Sequence, residues 1–155
     1  MGSDAIILKC GSRLCGTGGA LANTPLHQDK SYFEVKLQQA ATRDADLTYP
    51  PLGRDLFSWV LKSDGALIHD GKELDVISNI YFEEGDVIGV SFDHYQLLFY
   101  LNGRCLHNPI HHIKGGILYP LVYVDYGAII DCQFNEFTHP PPKDFSRIMV
   151  EKTLL

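Results

Sequence analysis

Three patterns in this 155-residue sequence have residue types that could do chemistry. The first is Gly16-Thr17-Gly18-Gly19, a candidate phosphate cradle. Such a loop works when it follows a strand and opens a helix whose backbone N–H groups face the anion. Here no Gly-Lys-Ser/Thr follows and Pro25 comes soon after, so the run reads as a plain glycine turn. The second is a set of metal-type ligands: Cys105, His107, His111, His112, Cys132 and His139. Structural zinc favours ligand pairs at short fixed spacing on two elements. Cys105 and His107 would share one face of a strand, but the side chains of His111-His112 diverge in extended chain. The histidines therefore read as loop and strand-end residues, and neither a metal nor another cofactor is expected. The third is a nucleophile with a nearby base. No Gly-x-Ser-x-Gly elbow occurs, and nothing in the spacing favours a triad. The expectation is a protein that is not an enzyme.

Binding chemistry is easier to place. Tyr126 lies in Asp125-Tyr126-Gly127, a predicted turn between two strongly apolar strands. An aromatic there is not needed for packing, so it is free to serve as an interface anchor. Arg54-Asp55 forms a local ion pair or, if solvent-facing beside that turn, the polar part of a recognition patch. Trp59, the lone Trp, sits at a strand position and reads as core.

Composition narrows the partners. The net charge is −6 with a pI near 5.5. Nucleic-acid binding uses basic patches that displace counterions. No Lys/Arg run exists, so neither nucleic acid nor an anionic membrane is expected as a partner. No apolar run approaches a membrane span. The four cysteines form no Cys-x-x-Cys pair. They read as reduced thiols in a cytoplasmic or nuclear protein.

The elements that must position these residues are strands. Hydrophobic residues make up 45% of the chain, enough for one globular domain of this length. Residues 32–37 alternate, with Phe33, Val35 and Leu37 inward and Glu34 and Lys36 on a solvated face. Strands are also expected at 5–9, 56–61, 66–69, 86–92, 96–101, 104–107, 117–124 and 128–134. Asn102-Gly103 is a strong hairpin signal because a type I′ turn needs positive φ at both central residues. Pro120 marks an edge position or a bulge. Ile130, Cys132 and Phe134 are expected inward. Phe145, Ile148 and Met149 have the spacing of a short helical turn. Residues 1–4 read as a cloning remnant, 5–139 as the domain, and 140–155 as a Pro-rich stop and a tail packed on it. Many short strands with almost no helical pattern predict an all-β antiparallel sandwich or barrel.

An ordered set of motifs resembles the SPRY family. Gly85-Asp86-Val87-Ile88-Gly89-Val90 with Asp93 is similar to its GD-x-I-G stretch, and Phe99-Tyr100-Leu101-Asn102-Gly103 to its Asn-Gly hairpin. Ser58-Trp59, Asp64-Gly65 and His69-Asp70-Gly71 resemble a third segment, and Tyr119-Pro120 before a hydrophobic strand a fourth. The resemblance runs from Tyr32 to Phe137. It implies a bent two-sheet antiparallel β-sandwich that binds a peptide segment of an unidentified partner protein through loops at one end. It also implies that Tyr126 and Gly127 line the site, with Asp125, Arg54, Asp55, Asn23 and Thr24 as neighbours. A lectin-like or small-ligand sandwich is the alternative. One departure stands out: the family's Gly/Trp-rich strand after Leu37 is replaced by Gln38-Gln39-Ala40-Ala41-Thr42, so one strand is expected to be absent. A monomer is expected, or a strand-swapped dimer that fills the gap.

Overall fold

The period-two pattern at Phe33, Val35 and Leu37 becomes the middle of a long sheet in the computed structural model, which describes residues 4–41, 58–78, 80–113 and 116–149. Along the chain come β1 (Asp4–Leu8), a short 3-10 turn (Lys9–Gly11), β2 (Arg13–Leu21), β3 (Ser31–Gln39), β4 (Trp59–Leu61), β5 (Ala66–His69) and β6 (Lys72–Val76). They are followed by β7 (Val87–Phe92), β8 (Leu97–Leu101), β9 (Arg104–Cys105), β10 (Leu121–Gln133) and β11 (Ser146–Arg147). The large sheet has the order β1-β2-β10-β3-β7-β8-β9, with β11 parallel to the start of β3. The small sheet is β4-β5-β6. The fold is an all-β, two-sheet antiparallel sandwich, as the pattern predicts.

The core lies where the sheets face each other. Phe33, Val90, Phe92, Leu97 and Phe99 from the large sheet meet Leu67 from the small one, joined by Leu26 and Ile148. Trp59 packs against this cluster and stacks on His69, its cross-strand partner, at 4.3 Å and 5° between planes. A second cluster of Leu14, Val124, Ala128 and Ile130 sits under β2 and β10. Burying each large side chain contributes roughly 1.5–3 kcal/mol.

Two of the sequence motifs are one hydrogen-bonded unit. Asn102 and Gly103 take φ of 49° and 83°, as a type I′ turn requires. The Asn102 side chain accepts the Val87 N–H at 2.9 Å and donates to Asp86 at 2.9 Å, while Asp86 also accepts the Glu83 N–H at 2.7 Å. Gly89 is small for a different reason. A Cβ there would stand 2.5 Å from the Tyr32 hydroxyl and 3.0 Å from its ring.

Several expectations need correction. The glycine run does not break the chain; it is the body of β2, between β1 and β10. A Cβ at Gly19 would come within 3.2 Å of both Tyr123 and the Val122 carbonyl, so glycine there permits close strand approach. With no helix following, the phosphate reading has no support. Glu34 is not solvated: it is 0% exposed, beneath the chain that follows β10. The strands expected at 117–124 and 128–134 are one strand, β10. It begins only at Leu121 because the carbonyls of Leu118 and Pro120 are taken by the N–H groups of Leu26 and Ala22. The expected helical turn near Ile148 is strand β11, which places Ile148 in the core. Strand β1 starts at Asp4, inside the stretch read as a remnant. The return after Asn102-Gly103 is strand over Arg104–Cys105 only, with one further backbone bond at Leu106. Hairpin β5–β6 turns at Asp70 and Gly71, which both have positive φ; β6 was not expected, although Leu74 and Val76 alternate with Glu73 and Asp75 along it. Ile130, Cys132 and Phe134 do point inward, Phe134 against Phe33 at 5.9 Å. Residues 42–57, which would show how the chain makes up for the strand expected to be absent, lie outside the described residues.

Because Tyr32 is 2% exposed and cannot swing away, Gly89→Ala should destabilise the domain by about 1–3 kcal/mol, the usual range for overpacking. Urea unfolding checks this; an unchanged midpoint would contradict the close approach.

Candidate functional site

Tyr126 does not sit in a turn between strands. It is part of a bulge inside β10. Val124 pairs with Gly18 and Ala128 with Gly16, so Asp125, Tyr126 and Gly127 together oppose Thr17 alone. Two extra residues preserve the strand's parity, which is why Val124, Ala128 and Ile130 all remain buried on one face. The bulge forms because Tyr126 and Gly127 are both left-handed, with φ of 45° and 82°. Glycine adopts this freely; an L-residue such as Tyr does so at a cost of roughly 1–2 kcal/mol. Bulges of this kind re-aim side chains and are over-represented at functional sites.

Neighbouring strands hold the bulge. Gln39, the last residue of β3, donates from Nε2 to the Gly127 carbonyl at 2.9 Å. The register between β3 and β10 also shifts at Ile129, the next step along. Beyond Gln39, the Ala40 N–H reaches the Glu84 carboxylate at 3.4 Å, and the Leu37 carbonyl takes the Gly85 N–H at 2.7 Å. The Tyr126 bulge therefore shares one end of the large sheet with the turn that carries Asp86. Tyr126, Asp125 and Gly127 are part-buried. Burial pushes the Asp125 carboxyl above its ordinary value.

The other predicted site residues fall elsewhere. Asn23 and Thr24 lie in the loop between the Ala22–Pro120 and Leu26–Leu118 backbone bonds, with the Thr24 hydroxyl 3.1 Å from the Asn23 side chain. That loop adjoins the start of β10, five residues before the bulge, or ~16 Å at the rise of a strand. Arg54 and Asp55 lie outside the described residues. Gln39 was missed because Gln38 to Thr42 was read as standing in place of an absent strand, not as the continuation of β3. Continuing the alternation of β3 two residues past Leu37 would have found it.

Further along β10 is the strongest ion pair of this face. Arg13 on β2 binds Asp131 in two places, at 2.6 and 2.8 Å, Gln38 adds a third bond at 2.8 Å, and Lys9 lies 3.8 Å away. These groups, Arg13 first, hold the Asp131 carboxyl below its ordinary value. On the next residue, burial pushes the Cys132 thiol up to about 11, so it is a poor nucleophile. Among the described residues, no three His, Cys, Asp or Glu side chains group as a metal site.

A family model for the SPRY domain matches residues 30–137. The chain belongs to the SPRY family. It is 49% identical to SPRY domain-containing protein 7 of Gallus gallus and 48% identical to that of Homo sapiens. Each alignment runs over 162 residues and takes in 99% of this chain and 82% of the relative. The alignment is longer than the chain, so these SPRY proteins carry residues with no counterpart here. Among solved structures, the SPRY domain of human HERC1 matches with a TM-score of 0.64 at 19% identity, over 83% of this chain and 91% of that one. The TRIM65 PSpry domain matches at 0.61 and 14%, over 83% and 85%. These two share the fold. SPRY domains commonly serve as protein-interaction modules.

The Asp131 cluster predicts a direction with pH. A carboxyl held low in the folded state stabilises the fold fully above its ordinary value of 3.8 and loses that contribution as pH falls through the lowered one. Asp131→Asn should therefore be less stable than the wild type at pH 7 and converge with it in strong acid. Melting temperatures across pH 2–7 test this; a constant gap at every pH would contradict it.

Proposed function

We propose that this domain is a non-catalytic module that captures an extended peptide segment of a partner protein at the end of the sandwich formed around Tyr126 and Gly127. The observation that carries this reading is the bulge: a tyrosine held in left-handed backbone inside an otherwise regular strand. Val124 and Ala128 fill the core on either side of it. The bulge turns an amphipathic ring, apolar in body and polar at its tip, out of the strand's alternation. Gly127 beside it lets a peptide backbone approach closely, and Asp125 adds a carboxylate. Arg54, Asp55, Asn23 and Thr24 supply flanking polar contacts in this proposal. Membership in a family of interaction modules supports a binding role. The protein works as a monomer in the cytoplasm or nucleus, with its thiols reduced.

A peptide-display screen on the purified domain tests the site. Peptides enriched on the wild type should bind Tyr126→Ala at least ~10-fold more weakly, a typical anchor loss. The variant should stay folded, because alanine keeps the Cβ and so leaves the backbone cost of position 126 unchanged. Undiminished binding by Tyr126→Ala would place the site elsewhere.

A further inference from the structure

We propose that His107 is an acid-sensitive latch that closes the outer edge of β8. The ladder between β8 and β9 pairs Leu101 with Arg104 and Tyr100 with Cys105. Carried one step further, it would pair Phe99 with Leu106 through two bonds. Only one is made: the Leu106 N–H donates to the Phe99 carbonyl at 3.0 Å. The other ladder bond comes from a side chain instead. The Phe99 N–H donates to Nε2 of His107 at 3.0 Å, so the imidazole stands where a strand carbonyl would be. Beyond it the chain returns to β8 at Ile110, which exchanges both backbone bonds with Leu97 at 3.0 and 3.1 Å. The ring thus bridges the one gap in the cover of this edge.

The bonds fix the ring's chemistry. A nitrogen that accepts an N–H must carry a lone pair, so Nε2 is unprotonated. Nδ1 lies 2.6 Å from the Asn108 carbonyl, which can only accept, so Nδ1 carries the proton. Both nitrogens are committed, and the latch needs the neutral Nδ1–H form. A second proton at Nε2 turns an acceptor into a donor facing a donor. The Phe99 N–H, on a residue 8% exposed, is then left without its partner, and the edge opens between Cys105 and Ile110. The ring is only part-buried, so solvent protons can reach it. The titratable and charged residues on the surrounding elements are Tyr100 on β8, Arg104 and Cys105 on β9, and His111 and His112 past Ile110; His139 lies near Gly103. Among the described residues none of them forms an ion pair with His107. The Cys105 thiol instead donates to the His107 carbonyl at 3.2 Å.

Amide exchange by NMR on the whole chain tests the latch. Protection of the Phe99 amide, corrected for intrinsic exchange, should fall by roughly tenfold between pH 7.5 and pH 5, the weight of one lost hydrogen bond. Protection of Val90, on a central strand, should hold. Long-range proton–nitrogen spectra at pH 7.5 should show the proton of His107 on Nδ1. In His107→Leu, Phe99 should exchange fast at both pH values. A proton on Nε2 at pH 7.5, a Phe99 protection that ignores pH, or an acid step that survives in His107→Leu would each overturn the proposal. The first two are read on the wild type and so do not depend on the variant folding.

Discussion

Glu34 is the point on which this sandwich turns. It lies in β3, between β10 and β7, and is 0% exposed. A buried carboxylate is tolerable only when its oxygens are fully used. Here three donors converge on them: the Tyr32 hydroxyl at 2.8 Å, the Thr138 N–H at 2.6 Å and the His139 N–H at 3.2 Å. This arrangement ties the chain leaving β10 down over the outer face of β3. It also fixes its neighbours. Tyr32 meets Phe137 edge-on at 5.0 Å and Tyr100 at 6.3 Å. Burial, and then the bond to Glu34, push the Tyr32 hydroxyl far above its ordinary value, so it stays a donor. Gly89, directly across from Glu34, can be nothing larger because Tyr32 occupies the space.

The core side of the large sheet was legible because burial there follows a period of two, and no other rule competes with it. Phe33 lies on the face its alternation predicts, and Val90, Phe92, Leu97 and Phe99 pack into the same core. Asn102-Gly103 was legible because its backbone demand is local. The outer face was not legible. Nothing about Glu34 in the sequence distinguishes a solvated acid from one that waits for Thr138, 104 residues later. The glycines of β2 misled for a related reason: the same absence of a side chain serves a turn or a close strand approach, and only the position of β10 decides which.

The candidate site shows a similar division. Tyr126 and Gly127 were found as a pair, but as a turn. The sequence marks an interruption of β10 without saying whether the chain reverses there or only bulges. What decides is the two-residue surplus against Gly16 and Gly18 and the support of Gln39, both of them long-range. The bulge and the Glu34 lock belong to the same central strands. β3 grips the chain leaving β10 through Glu34 near its start and the bulge of β10 through Gln39 at its end, so the candidate site is mounted on two paired central strands.

The most direct test of this account is the stability of Glu34→Gln in urea. The side chain keeps its shape, but one of its two acceptor oxygens becomes an NH2 group facing donors. A site built on three donors should lose about 1.5–3 kcal/mol, the range for hydrogen bonds to a charged group. A variant within ~0.5 kcal/mol of the wild type, the scatter of ordinary surface substitutions, would contradict the role given to Glu34.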